Sequence, residues 1–112
     1  MTDLTQRRCE ACRGDAPQAT AEEIEEYRAQ IPDWEIVDND GVKQLRRVYK
    51  FKNFAQALDF ADKVGEIADQ EDHHPSILVE YGKVTLTWYT HKIKGLHVND
   101  FVMAARSDKL TA

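Results

Sequence analysis

The feature that most restricts the fold is a strict alternation of side chains in residues 76–81 and 84–90. Ile77, Val79 and Tyr81 alternate with Ser76, Leu78 and Glu80, and after Gly82-Lys83 the apolar Val84, Leu86 and Trp88 alternate with threonines. A period of two puts successive side chains on opposite faces of a strand. Two such runs separated by a short glycine-containing loop read as a β-hairpin. With Gly82-Lys83 as the loop, Ile77 faces Trp88, Val79 faces Leu86 and Tyr81 faces Val84. One face is then wholly apolar and has to be buried, while Leu78 and the threonines line the other.

A second hairpin of roughly residues 34–51 is expected around Asp38-Asn39-Asp40-Gly41, which is strong turn chemistry. Its first strand runs from Trp34 to Val37. The second sets Leu45, Tyr49 and Phe51 on one face with Arg47 interrupting, and Gln44, Arg46 and Lys50 on the other. Thr20-Ala-Glu-Glu23 is a capping box that opens a helix with Ile24, Tyr27 and Ile31 on one stripe, and Pro32 stops it. Asn53 caps a longer helix. Phe54, Ala57, Leu58, Ala61, Val64 and Ala68 form its apolar stripe, and Phe60 and Ile67 widen it enough to bury a second side. A polar loop spans Asp69 to Pro75. A last helix runs from near Asn99 to Lys109, with Val98, Phe101, Val102 and Ala105 inward. The expected fold is α+β, a single domain in the order α-β-β-α-β-β-α, with a four-stranded antiparallel sheet and helices packed on one face.

At 112 residues the chain has the length of one domain. No apolar run approaches the roughly 20 residues that span a bilayer, so no membrane association is expected. Residues 1–35 hold nine acids and four bases, whereas residues 36–112 hold eleven of each. The body therefore has no net basic field, which argues against nucleic acid as a partner. Residues 1–19 show no periodicity and read as a flexible lead to the domain of residues 20–112. Cys9 and Cys12 in that lead have zinc or redox spacing, but one pair is half a site. The first nine residues lack the apolar stretch of a signal peptide, and a cytoplasmic location is expected.

Continuing the second hairpin by one pair sets His74 opposite His91, with His73 beside it in the same loop. Directly opposed residues have Cβ atoms about 4.5–5.5 Å apart. Three histidines therefore converge near Asp69, Glu71 and Asp72. Imidazole both donates and accepts a proton near neutrality, and a carboxylate beside one ring favours its charged form. A charged and a neutral imidazole together suit elimination of water. Three histidines can also hold a catalytic zinc, although no helical His-x-x-x-His or flanking cysteine supports this. Asp100 falls in the first turn of the last helix, where complementing the helix dipole is as fitting a role as catalysis.

The pattern Asp69-x3-His73-His74-Pro75-x5-Tyr81-x9-His91-x8-Asp100 resembles the signature of the pterin-4a-carbinolamine dehydratases. Lys94-Gly95-Leu96 and Phe51-x-x-Phe54 are also similar, and the resemblance covers roughly residues 20–110. It implies that His73, His74 and His91 are the active-site histidines and that Asp69 and Asp100 are their acidic partners. Asp69, His73, His74, Pro75 and His91 would contact substrate, and His73, His74, His91 and Asp100 would act in catalysis. The implied reaction removes water from a 4a-hydroxytetrahydropterin to give the quinonoid dihydropterin. It recycles the pterin of aromatic amino acid hydroxylases and needs no metal or organic cofactor. The resemblance further implies a homodimer or homotetramer, with functional coupling to phenylalanine hydroxylase. The alternatives are a non-enzymatic dimerisation or transcriptional cofactor, or a metal-binding histidine module. Two positions depart from the family pattern: His97 stands where Ser or Thr often caps the last helix, and Asn99 stands where a basic residue is common.

Overall fold

The computed structural model of the protein describes residues 19–90 and 95–111. Asp40 and Gly41 both have positive φ, 53° and 81°. A type I′ turn requires this at both central positions, and an aspartate followed by glycine tolerates it. The turn joins β1 (Glu35–Asn39) to β2 (Val42–Lys50) with Asn39 opposite Val42. The next hairpin joins β3 (Ser76–Glu80) to β4 (Lys83–Trp88). The four strands form an antiparallel sheet in the order β1-β2-β4-β3. Three helices accompany it: α1 (Ala21–Arg28), α2 (Phe54–Glu71) and α3 (Val98–Lys109). The α+β order expected from the residues is therefore the observed one. No helix of the described residues is long and apolar enough to cross a membrane.

The loop of the second hairpin differs from expectation. It is Tyr81-Gly82, not Gly82-Lys83, because Glu80 pairs with Lys83, Val79 with Val84 and Ile77 with Leu86. Gly82 has φ +74°, the value needed at the second central position of a type II turn. Its carbonyl accepts the Phe51 amide at 2.8 Å, and a Cβ there would lie 3.2 Å from the Phe51 carbonyl oxygen. The end of β2 thus holds the glycine where it is. The register shifts by two residues, so the faces are kept and the partners change. Val84, Leu86 and Trp88 are fully buried, while Tyr81 leaves the sheet and is 76% exposed. Trp88 lies opposite Leu45 of β2, not Ile77.

Helix α1 begins at the expected capping box, with Thr20 and Glu23 each accepting the other's backbone amide. It ends at Arg28, short of Pro32. Helix α2 runs further than expected, through Asp69, Gln70 and Glu71. The Glu71 side chain is buried against Arg106 of α3 at 3.5 Å, which gives the last turn an interior partner. Its buried face is Ala57, Phe60, Val64 and Ala68; Phe54 and Leu58, expected inside, are nearly half exposed. Helix α3 is buried around most of its first two turns, from Val98 to Ala105. It packs on the sheet and on α1, where the Tyr27 and Phe101 rings lie 5.7 Å apart. Val48 and Leu78, on the sheet face opposite the core, are exposed.

Arg47 interrupts the apolar face of β2 because Asp108 of α3 needs it. Asp108 Oδ1 accepts hydrogen bonds from Arg47 at 2.7 Å, from Trp34 Nε1 at 2.9 Å and from the Tyr49 hydroxyl. The guanidinium also sits 4.3 Å over the Tyr49 ring.

Candidate active site

Helix α2 ends in a way that places two consecutive histidines. Asp72 adopts the left-handed conformation, φ 50°. The His73 amide then bonds back to the Ala68 carbonyl at 3.1 Å, the closure of a Schellman motif. Pro75 follows and cannot continue the helix. The chain leaves this corner with His73 turned inward and His74 outward. The His73 side chain is 4% exposed and that of His74 is 56% exposed.

His73 reaches Asp100 in the first turn of α3. Its Nε2 lies 2.7 Å from Asp100 Oδ1. The other carboxylate oxygen accepts from the Thr90 hydroxyl at 2.8 Å and from the His97 backbone amide at 2.9 Å. Asp100 is fully buried. A buried carboxylate is tolerated only where donors surround it, and three do so here. An ionised carboxylate only accepts, so Nε2 is the ring nitrogen that donates to Asp100, and Nδ1 lies on the other side of the ring. The flat side of the ring rests on Trp88, with centroids 5.6 Å apart and planes 13° from parallel.

His74 has its own carboxylate. Its Nε2 lies 2.9 Å from Asp69 Oδ1, one turn back at the end of α2, and both groups meet solvent. Two imidazole–carboxylate pairs thus stand back to back on adjacent residues, one dry and one wet. Asp69 and Asp100, expected to serve one cluster, serve different rings. Glu71 reaches Arg106 of α3. Pro75 is partly buried between His74 and the start of β3.

His91, Cys9 and Cys12 lie outside the described residues, as do the rest of residues 1–18 and 91–94. The observed hairpin register, if continued past Ser76, sets position 74 opposite Tyr89. Strand β3 in any case begins two residues after His74. Among the described residues no group of three His, Cys, Asp or Glu is arranged to hold a metal ion.

Three contributors to the buried pair escape a reading of the residues alone. Thr90 lies ten residues from Asp100, and only the packing of β4's end on α3 joins them. Trp88 looks like ordinary core in the alternation. His97 carries a detectable signal, being three residues before Asp100. It is the N-cap of α3: its Nδ1 accepts the Asn99 amide at 3.1 Å while Asp100 accepts the His97 amide. This is a capping box built from His and Asp in place of Ser or Thr and Glu.

The family described as Pterin 4 alpha carbinolamine dehydratase matches residues 17–110. A protein of Nitrosococcus oceani, provisionally named as a pterin-4-alpha-carbinolamine dehydratase, is 57% identical over 110 residues. The match covers 98% of this chain and 97% of that protein. A crystal structure from Brucella melitensis, described as a transcriptional coactivator/pterin dehydratase, superposes with a TM-score of 0.77 at 28% identity. It covers 86% of this chain and 100% of the other.

Proposed function

Since the chain belongs to the pterin 4 alpha carbinolamine dehydratase family, we propose that it removes water from a 4a-hydroxytetrahydropterin by proton transfer through histidines. The C4a–O bond breaks, the hydroxyl leaves with an added proton as water, and N5 gives up its proton to leave a C4a=N5 double bond. The N5 lone pair helps to expel the hydroxyl, so placement and proton transfer are what the protein has to supply.

The observation that carries this reading is the pair of imidazole–carboxylate contacts on consecutive residues. His74 is the proton carrier that a solute can reach. Asp69 holds its Nε2 and leaves Nδ1 to exchange protons. His73, held by Asp100, forms the dry wall of the site, and its ring orientation is set from within the core. His91 is the third histidine of the family pattern and completes the set. Asp69 and Asp100 orient their rings. Neither pair needs a cofactor for this chemistry. The physiological role would be recycling of the hydroxylated pterin released by an aromatic amino acid hydroxylase, phenylalanine hydroxylase included.

The direct test supplies the hydroxylated pterin from such a hydroxylase and follows its dehydration with and without the protein. Acceleration that survives chelator supports the reading. No acceleration by the folded protein sinks it and leaves the coactivator description of the Brucella relative as the one to pursue.

A further inference from the structure

Trp88 is the largest fully buried side chain, yet its indole Nε1 has no hydrogen-bond partner among the described residues. An unpaired buried donor is a cost that an aliphatic side chain such as leucine at the same place would not carry. Tryptophan is therefore not explained by filling space. What an aromatic ring offers and an aliphatic side chain does not is a flat face, and that of the indole lies nearly parallel to the His73 imidazole. His73 is otherwise gripped at one edge, through Nε2 and Asp100. A single bond at one ring atom leaves the ring free to tilt about that bond. A parallel aromatic surface removes this freedom.

We propose that Trp88 is a positioning residue for the dehydration: by stacking on His73 it sets the plane of the imidazole and so the direction in which Nδ1 faces. Three elements converge on one ring: the α2 corner fixes its backbone, Asp100 of α3 its edge, and Trp88 of β4 its face. The inference rests on the reading of His73 as part of the dehydratase site.

Two measurements test it. In the first, His73→Ala, Trp88→Phe and Trp88→Leu are assayed on the hydroxylated pterin. Trp88→Leu removes the flat surface and should lower kcat by about 10- to 100-fold, the scale of a misplaced reacting group, with KM little changed. Trp88→Phe keeps a flat surface and should restore most of the rate. Trp88→Leu turning over like the wild type, while His73→Ala is impaired, overturns the role of Trp88 and leaves the histidine reading standing. His73→Ala turning over like the wild type instead overturns the histidine reading itself. The second measurement uses the unmodified protein and so needs no variant to fold. The carbon-bound protons of His73 should resonate upfield of those of the exposed His74, shifted by the indole ring current. A His73 ring without that displacement refutes the stack.

Discussion

At the scale of single residues, His73 and His74 are neighbours with opposite environments, and their substitutions should separate accordingly. His74→Ala removes an exposed ring that the fold does not need. Turnover should fall by about 10²–10⁴, the usual worth of a general acid or base, with unfolding by urea unchanged within about 0.5 kcal/mol. Equal turnover in this variant would remove His74 from the mechanism. Asp100→Ala should behave differently. It strands the Thr90 hydroxyl, the His97 amide and the His73 Nε2 together in a dry site. Stability should drop by about 2–4 kcal/mol and turnover should drop with it. Thr90→Val removes one of the three donors and leaves the His97 amide on the same oxygen. The expected loss is about 1 kcal/mol, with a smaller loss of turnover.

At the scale of elements, the entry of α3 and the outer side of α2 make the clearest demands. His97 caps α3 through a ring nitrogen, so an acceptor at that position matters more than an imidazole. His97→Asn keeps an acceptor, and His97→Ala should be less stable than it by about 1 kcal/mol in urea. Equal stability of the two would show that the cap contributes nothing. On α2, Phe54 and Leu58 lie one turn apart and are 43% and 48% exposed. Leu78 and Val48 add exposed apolar surface on the sheet. A domain of this size has reason to cover such patches by self-association. Light scattering at micromolar concentration should report a mass above 12.9 kDa, and Phe54→Ser/Leu58→Ser should lower it with secondary structure intact. A monomeric wild-type protein would refute this.

At the scale of the whole molecule, α3 is tied to the sheet at both ends by carboxylates, one buried and one part-buried. Asp100 ties its start to Thr90, two residues past β4, and to the α2 corner, and Asp108 ties its end to β2 and Trp34. The second tie has a consequence at high pH. Burial first, and the Asp108 carboxylate second, push the Tyr49 hydroxyl far above its ordinary value. A tyrosine in the unfolded chain loses its proton near pH 10, whereas the folded one keeps it. The folded state holds the proton more tightly, so this contribution is fully present below about pH 10 and is lost as the pH rises beyond it. Urea unfolding from pH 9 to 11 should show a fall in stability that is shallower in Tyr49→Phe. Parallel curves for the two proteins would refute the linkage.

Much of this was legible in the residues because local chemistry dictates it. The alternation in residues 76–88 settles which face of the second hairpin is buried, since a two-residue slip in register preserves the faces. Asp40-Gly41 and Thr20-Glu23 name a turn and a helix start, because few other conformations satisfy their backbone groups. The spacing of His73, His74 and Asp100 points to the family. What the residues leave open are matters that depend on distant neighbours. The grip of Phe51 on Gly82 decides which two residues turn. The burial of Glu71 against Arg106 decides where α2 ends. Arg47 reads as a flaw in a strand until Asp108 is brought to it from sixty-one positions away. The division of the two carboxylates between two rings has the same origin: successive residues leaving a helix corner face opposite ways, and only the packed sheet and α3 determine which of them is inside.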